Sequence, residues 1–210
     1  MGYNEKQVQI IETAEKLFAI KGFDGTSIRD IADEAGVNLA MINYYFGSKD
    51  KLMQALFEQR TGHVKMQVES LLSDESLSPI QKIDKLIDNF VDRVIERERF
   101  YKIMTCEQMM LKTQSPVTEL LMQLKKRNAE AVSQLIKEGQ KKGVFKKNVD
   151  VVFLMMTMVG TVTQLVIGKH FYREYNNLQS MPEEKFNQQL KKKISDHIKL
   201  LFKAMLNYEA

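Results

Sequence analysis

The segment 39–45 brings the Asn43 amide, the apolar side chains of Leu39 and Ala40 and two phenol hydroxyls close together in the sequence. Asn43 has an amide whose paired donor and acceptor match the major-groove edge of adenine. Leu39 and Ala40 are apolar and could contact the methyl group of thymine. Tyr44 and Tyr45 carry hydroxyls that could reach phosphate oxygens. If this segment is a helix, these residue types indicate a surface that reads a DNA duplex.

The spacing of residues 27–46 predicts two short helices joined by a tight turn, a helix-turn-helix. Ala32 suits a close helix crossing, and Gly36 suits a left-handed turn position that a side chain would strain. Val37 and Ile42 supply the hydrophobic core behind the turn, and Asn38 can cap the second helix. Such a pair lets one helix brace the other in the major groove. The alternative is an ordinary αα-hairpin of a helical bundle.

Four polar side chains in or next to this hairpin could contact phosphate. Thr26 or Ser27 can cap the first short helix, and the hydroxyl of either could also bind phosphate. Arg29 could reach a base or a phosphate, although the neighbouring aspartates could pair with it instead. Lys49 starts the next predicted helix, where its amine and the backbone N–H groups both suit phosphate. The candidate DNA-binding residues are Thr26, Ser27, Arg29, Asn38, Leu39, Ala40, Asn43, Tyr44, Tyr45 and Lys49.

Three segments at fixed spacing resemble the N-terminal domain of TetR-family transcriptional regulators. They are GFDGTSIRDIA at 22–32, AGVN at 35–38 and INYYFGSK at 42–49. The resemblance covers about residues 6–57 and implies an operator-binding regulator, most often a repressor released by a small-molecule effector. It further implies a homodimer on a palindromic double-stranded DNA operator. Many family members have tyrosine at the position of Asn43, so the operator sequence is not implied.

The hydrophobic spacing predicts helices throughout and no strands, so the expected fold class is all-α. Helix starts are predicted at Asn4 with Gln7, and at Ser78 with Pro79 and Gln81. We predict an N-terminal three-helix helix-turn-helix DNA-binding domain at 1–50, with its motif at 27–46. A larger C-terminal helical domain at 51–210 is predicted to bind the effector and to form the dimer. A chain of 210 residues that is 44% hydrophobic is long enough for both cores.

The net charge of +4 does not mark a DNA-binding surface, because of where it lies. Residues 1–60 hold seven Lys and Arg against nine Asp and Glu, whereas residues 61–210 hold 24 against 18. DNA binding must therefore depend on individual donors rather than on bulk charge. The acidic N-terminal part favours an alternative function, a helical protein-interaction module without specific DNA binding.

Residues 151–168 contain no charged side chain, and we predict one apolar helix from about Asn148 to Tyr172. Threonines, glycines and a glutamine dilute this segment, so we expect a helix buried on two faces rather than a membrane span. The last helix also has an apolar stripe, and two such helices from each of two chains would close a four-helix bundle. The candidate dimer-interface residues are Leu190, Ile194 and Ile198.

Methionines interleaved with polar residues in the C-terminal part could line a pocket for an apolar ligand, although plain core packing also explains them. Lysine runs such as 125–127 and 191–193 are interpreted as solvated faces, or alternatively as contacts to an acidic effector or to the DNA backbone. The candidate effector-binding residues are Arg93, Met104, Gln108, Met122, Thr157, Thr161 and Gln164.

Catalytic and metal-binding patterns find no support in the sequence. His63, His170 and His197 are far apart and lack the spacing of zinc ligands. No phosphate-binding glycine loop and no nucleophile elbow occurs. The single cysteine, Cys106, excludes an internal disulfide, and a buried inert thiol is its expected state. We therefore expect no enzyme activity, no cofactor and no metal, and a cytoplasmic location because no signal peptide is evident.

Overall fold

Ten α-helices and no strand make up the regular structure of residues 2–109 and 116–206, which this computed structural model describes. The all-α prediction is confirmed. The helices are α1 (Glu5–Lys21), α2 (Ile28–Ala35), α3 (Leu39–Phe46), α4 (Lys49–Ser73), α5 (Pro79–Glu96), α6 (Glu98–Met109), α7 (Pro116–Lys141), α8 (Val151–Ile167), α9 (Lys169–Tyr175) and α10 (Glu183–Leu206).

Side-chain caps fix the predicted starts of α1 and α5. The Asn4 side chain accepts a hydrogen bond from the Gln7 backbone N–H at 2.9 Å, and the Gln7 side chain accepts one from the Asn4 N–H at 3.0 Å. Ser78 and Gln81 form the same reciprocal pair before α5, with Pro79 at the first helical position. Both helices begin there because these side chains satisfy N–H groups that have no partner within the helix.

The first of two compact units contains the described residues of 2–65 and 99–124. Its core is the apolar stripe of α1 packed with α2, α3 and the first half of α4, together with Phe100 and Ile103 of α6 and Val117 and Leu121 of α7. Arg60 of α4 donates to the Glu15 carboxylate of α1, with 2.9 Å between Nε and Oε2, at the edge of this core. The largest fully buried side chains of the unit are Ile10, Ile11, Ile31, Ile42, Leu52, Met53, Leu56 and Phe57.

The second compact unit contains the described residues of 66–98 and 125–206. Here α10 and α8 pack on α5, and their buried residues form the core. Leu190, Ile194 and Ile198 of α10 are 3%, 1% and 0% exposed within the single chain. Their assignment to a dimer interface was therefore wrong, because the apolar stripe of α10 is already covered by its own chain.

The boundaries between the two compact units fall after residues 65, 98 and 124 of the chain. The sequence had predicted a functional boundary at residue 50. Helices α4, α6 and α7 each contribute residues to both units, so the chain passes between units inside helices rather than through linkers. Whether DNA binding and effector binding divide at residue 50 stays a prediction.

The apolar segment predicted as one helix is two helices. Helix α8 begins after Asp150, whose carboxylate accepts from the N–H groups of Val152 and Phe153, and it ends before Gly168. Helix α9 then leaves at an angle of 69°. Among the described residues no single helix is long and apolar enough to span a membrane, although this bent pair meets that criterion by length and composition.

Candidate nucleic-acid interface

Helices α2 and α3 form the predicted helix-turn-helix, and each is capped at its start. The Ser27 hydroxyl accepts from the Asp30 N–H at 3.0 Å, while the Asp30 carboxylate accepts from the Ser27 N–H at 2.8 Å. The Ser27 hydroxyl also donates to the Asp30 carboxylate, and this bond, followed by the one from the Ser27 N–H, lowers the pKa of Asp30 to about 2. Gly36 ends α2 in the left-handed conformation with φ of 63°. The Asn38 side chain then accepts from the Met41 N–H at 2.7 Å and starts α3.

Helix α3 is buried on one side and exposed on the other. Ile42 and Phe46 are 1% and 7% exposed and anchor the helix in the core of the first unit. Tyr45 is half-buried and packs against the same core, so its side chain is mainly structural. On the opposite side, four exposed residues form a continuous stripe that we call the α3 outer face. They are Leu39, Ala40, Asn43 and Tyr44.

The α3 outer face presents the mixture of groups that the sequence predicted. Leu39 is 39% exposed and Tyr44 is 84% exposed. The ring of Tyr44 lies 5.3 Å from that of Tyr45, edge to face, so the exposed phenol has one supporting contact. A rigid helix that exposes apolar groups, an amide and a phenol together can offer base-edge and phosphate contacts at once.

Thr26 does not belong to this surface. Its side chain is 1% exposed, and its hydroxyl donates to the Gly22 carbonyl at 2.8 Å. Ser27 and not Thr26 caps α2. The predicted phosphate contact of Thr26 was therefore wrong, because its hydroxyl instead closes the loop between α1 and α2. Ser27 itself is exposed.

Lys49 is half-buried, and most of its donors are used inside the protein. Its amine donates to the backbone carbonyls of Phe23 at 2.8 Å and Thr26 at 3.0 Å, and it lies 4.2 Å from the centre of the Phe23 ring. The amine thus ties the start of α4 to the loop before α2. Its predicted role as a phosphate donor needs correction, because two of its three N–H groups are already bonded.

Arg29 and Lys51 are the better basic candidates near the α3 outer face. Both are exposed. Arg29 has no ion-pair partner among the described residues, and Asp30 pairs instead with Lys21 at 3.4 Å. Lys51, in the first turn of α4, is not among the residues predicted from the sequence. A cation is unfavourable at the positive end of a helix, and that mismatch was the signal that could have singled it out.

The predicted effector residues are divided between the two units. Met104, Gln108 and Met122 belong to the first unit, whereas Arg93, Thr157, Thr161 and Gln164 belong to the second, so neither unit holds the whole set. The Thr157 hydroxyl donates to the Phe153 carbonyl at 2.9 Å within α8. Met122 is 63% exposed and Gln164 is also exposed.

Arg93 differs from the other candidate effector residues in having a buried donor without an acceptor. Its Nε has no hydrogen-bond partner, and Gln59 Oε1 in the first unit is the other such atom in the part of the chain described.

Cys106 is exposed rather than buried as expected. Within residues 2–109 and 116–206, no three His, Cys, Asp or Glu side chains are grouped to hold a metal ion.

An all-α chain that exposes the second helix of a capped helix-turn-helix belongs to the class of helix-turn-helix proteins. Residues 10–56 match the family described as bacterial regulatory proteins, tetR family, and residues 79–198 match the tetracyclin repressor-like C-terminal domain. The second match alone spans more than half of the chain. The chain belongs to the TetR family.

Individual relatives are similar over different parts of the chain. The HTH-type transcriptional repressor NicS of Pseudomonas putida is 29% identical over 140 residues, which are 67% of this chain and 66% of that protein. The probable HTH-type transcriptional regulator YttP of Bacillus subtilis is 53% identical over 51 residues, 24% of this chain and 25% of YttP. The matches thus span less than two thirds of these relatives.

A solved structure shares the fold over nearly the full length. The ketosteroid transcriptional regulator KstR2 of Mycobacterium tuberculosis superimposes with a TM-score of 0.75 over 99% of this chain and 98% of that one, at 19% identity. At this identity the likeness concerns the fold alone.

Proposed function

We propose that this protein is a sequence-specific DNA-binding transcriptional regulator, a repressor that a small-molecule effector releases from its operator. The observation that carries the proposal is the α3 outer face, an exposed stripe on a helix whose other side is anchored by Ile42 and Phe46. The caps at Ser27 and Asn38 and the turn at Gly36 fix the direction of that stripe.

In this proposal Asn43 reads a base edge, and Leu39 and Ala40 contact thymine methyl groups. Tyr44, Ser27 and the amine of Lys51 supply phosphate contacts that set the position of the helix but carry no sequence information. The excess of acidic residues in 1–60 makes nonspecific affinity small, so recognition depends on these placed groups.

Selection of bound sequences from a random pool of double-stranded DNA tests this proposal directly. We expect an enriched palindrome whose half-sites are about one helical turn, or a multiple of it, apart. A pool that stays random after repeated rounds at low salt would contradict sequence-specific binding. It would favour the second candidate, a helical protein-interaction module, which the acidic N-terminal charge supports.

The palindromic operator requires two copies of the chain, and the apolar residues that α8 and α9 leave exposed support the part of the predicted four-helix interface that the segment 148–172 contributes, rather than Leu190, Ile194 and Ile198 of α10. We call them the α8–α9 apolar face; they are Val152, Phe153, Met156, Ile167, Phe171 and Tyr175. Phe153 is 66% exposed and Met156 is 64% exposed. Val152, Phe153 and Met156 lie within about one turn of α8, and neighbouring exposed apolar side chains of this size are typical of protein–protein contacts.

Sedimentation velocity on the double variant Phe153→Glu with Met156→Glu tests this interface. We expect a monomer, because two carboxylates per chain would be buried against their symmetry mates. Ile20→Glu is the matched control, since Ile20 is 71% exposed on α1, outside the proposed interface. An unchanged dimer in the double variant would show that the chains meet elsewhere.

Release by an effector follows if ligand binding changes the separation of the two α3 helices in the dimer. Two half-sites bind together only when that separation matches the DNA, so a small shift costs affinity without altering a base contact. Effector and DNA must then weaken each other's binding reciprocally, by about 1–3 kcal/mol.

The proposed site of action is the cytoplasm. We propose no catalytic activity, because the relatives are described as transcriptional regulators.

A further inference from the structure

The guanidinium of Arg93 is a cationic group that forms no hydrogen bond or ion pair with the described residues. Arg93 lies on α5 and is half-buried, and its Nε is fully enclosed without a hydrogen-bond acceptor. The central carbon of the guanidinium lies 6.0 Å from the centre of the Phe90 ring. A buried charged donor that has lost water and gained no acceptor is unfavourable. A ligand that brings an acceptor to this group would remove that cost.

The carboxylates nearest in sequence to Arg93 are bound to other cations. On α5, Asp88 accepts from Lys199 at 2.7 Å, and Asp92 pairs with Lys191 at 2.8 Å. Glu96 lies 3.9 Å from the same lysine. Helix α8, which packs on α5, has no charged residue that could neutralise Arg93. Among the described residues, no ion pair neutralises the charge of Arg93.

Apolar side chains precede Arg93 on one side of α5. Leu86, Phe90 and Arg93 follow one another at helical spacing, and all three are half-buried. Residues of this kind suit the apolar body of a ligand, whereas the guanidinium suits an oxyanion. A carboxylate fits best, because its two oxygens match the planar fork of Nε and Nη donors.

We propose that Arg93 binds the carboxylate of the effector, and that the effector is an organic acid with an apolar body that contacts Leu86 and Phe90. This inference rests on the proposed function, since it names the chemical class of the ligand that releases the operator. Membership of the TetR family does not specify the chemical class of the effector. We infer that class from the unpaired Nε of Arg93 in this chain.

Binding of paired probes tests the charge requirement. Decanoate and naphthoate, each with the matching alcohol, are titrated calorimetrically into the full-length protein and into Arg93→Met. We expect the wild type to bind at least one acid about tenfold or more tightly than its alcohol, and Arg93→Met to bind the two about equally. Equal binding in the wild type, no binding of either acid, or a preference that survives in Arg93→Met would each overturn the inference.

Thermal stability separates ligand binding from a structural role. Because Arg93 has no internal acceptor, Arg93→Met should leave the Tm of the ligand-free protein unchanged or raised. Arg173→Met is the matched control, because Arg173 donates to the Glu183 carboxylate and to the Leu178 carbonyl in the same unit. It should lower the Tm and keep the preference for the acid. A lowered Tm for ligand-free Arg93→Met would assign Arg93 a structural role instead.

Failure of this inference can be told apart from failure of the proposed function. Operator binding by the wild type is measured in parallel, on the sequence selected from the random pool. If the operator is bound and only an uncharged or cationic compound releases it, the regulator stands and the role of Arg93 is wrong. If no DNA sequence is selected, the proposed function is wrong whatever the acids do.

Discussion

Replacing Lys49 with alanine should destabilise the protein rather than weaken its contact with phosphate. The amine donates to two backbone carbonyls, of Phe23 and Thr26, and sits 4.2 Å from the Phe23 ring centre. Hydrogen bonds that involve a charged group contribute about 1.5–3 kcal/mol each when shielded from water. Because Lys49 is only half-buried, we expect about 2 kcal/mol for its contacts together. For a chain of this length, this corresponds to a fall in Tm of about 4–8 °C.

Lys51→Ala is the matched control, because Lys51 lies two residues further along α4 and is exposed. Its amine has no ion-pair partner among the described residues, so the variant should keep its Tm. Lys51→Ala should instead lower the slope of log affinity against log salt by about one per half-site, for operator and scrambled DNA alike. Scanning calorimetry and gel shifts at several salt concentrations measure the two effects. A normal Tm together with a lowered salt slope in Lys49→Ala would refute the internal role assigned to Lys49.

Three further substitutions each test the role of one residue. Asn43→Ala should cost about 1–3 kcal/mol per half-site on the selected operator and little on scrambled DNA; equal losses on both would mean that Asn43 reads no sequence. Gly139→Ala should lower the stability against urea by about 1–3 kcal/mol, because the added methyl would overlap the buried ring of Phe145; an unchanged midpoint would contradict this packing. In the folded protein the pKa of Asp30 is lowered to about 2, chiefly by the hydrogen bond from the Ser27 hydroxyl. The ionised Asp30 therefore contributes fully to the free energy of unfolding above the ordinary pKa of 3.8, and this contribution is lost as pH falls towards 2. Tm measured from pH 5 to pH 2 should therefore fall less for Asp30→Asn than for the wild type, and parallel curves would contradict this.

The helix-turn-helix could be predicted closely because its signals are local. A cap at Ser27, a left-handed glycine at Gly36 and a second cap at Asn38 act within a few residues of where they stand. The buried side of α3 followed from the spacing of Ile42 and Phe46 in the same way. Each signal acts on the backbone next to it, so no knowledge of distant packing was needed.

Thr26 and Lys49 could not be assigned from the sequence, because a hydroxyl or an amine near a surface can face in either direction. The Thr26 hydroxyl turned to the Gly22 carbonyl, and the Lys49 amine turned to the Phe23 carbonyl. Both acceptors belong to the short loop between α1 and α2, where carbonyls past the end of a helix lack intrahelical partners. The demand of these carbonyls for donors becomes visible only once the loop is folded.

The error about Leu190, Ile194 and Ile198 has a different cause and shows where the sequence did carry a signal for a contact between chains. A single apolar stripe on a helix with an otherwise polar surface, as on α10, needs only one partner, and α5 and α8 of the same chain supply it. Helix α8 has no charged side, so after covering Leu154, Val162 and Val166 it still exposes Val152, Phe153, Met156 and Ile167. Apolar surface beyond what one core can cover remains available for a second copy of the chain. The lack of a polar side on α8, rather than the regular stripe of α10, was therefore the stronger sequence indication of an interface.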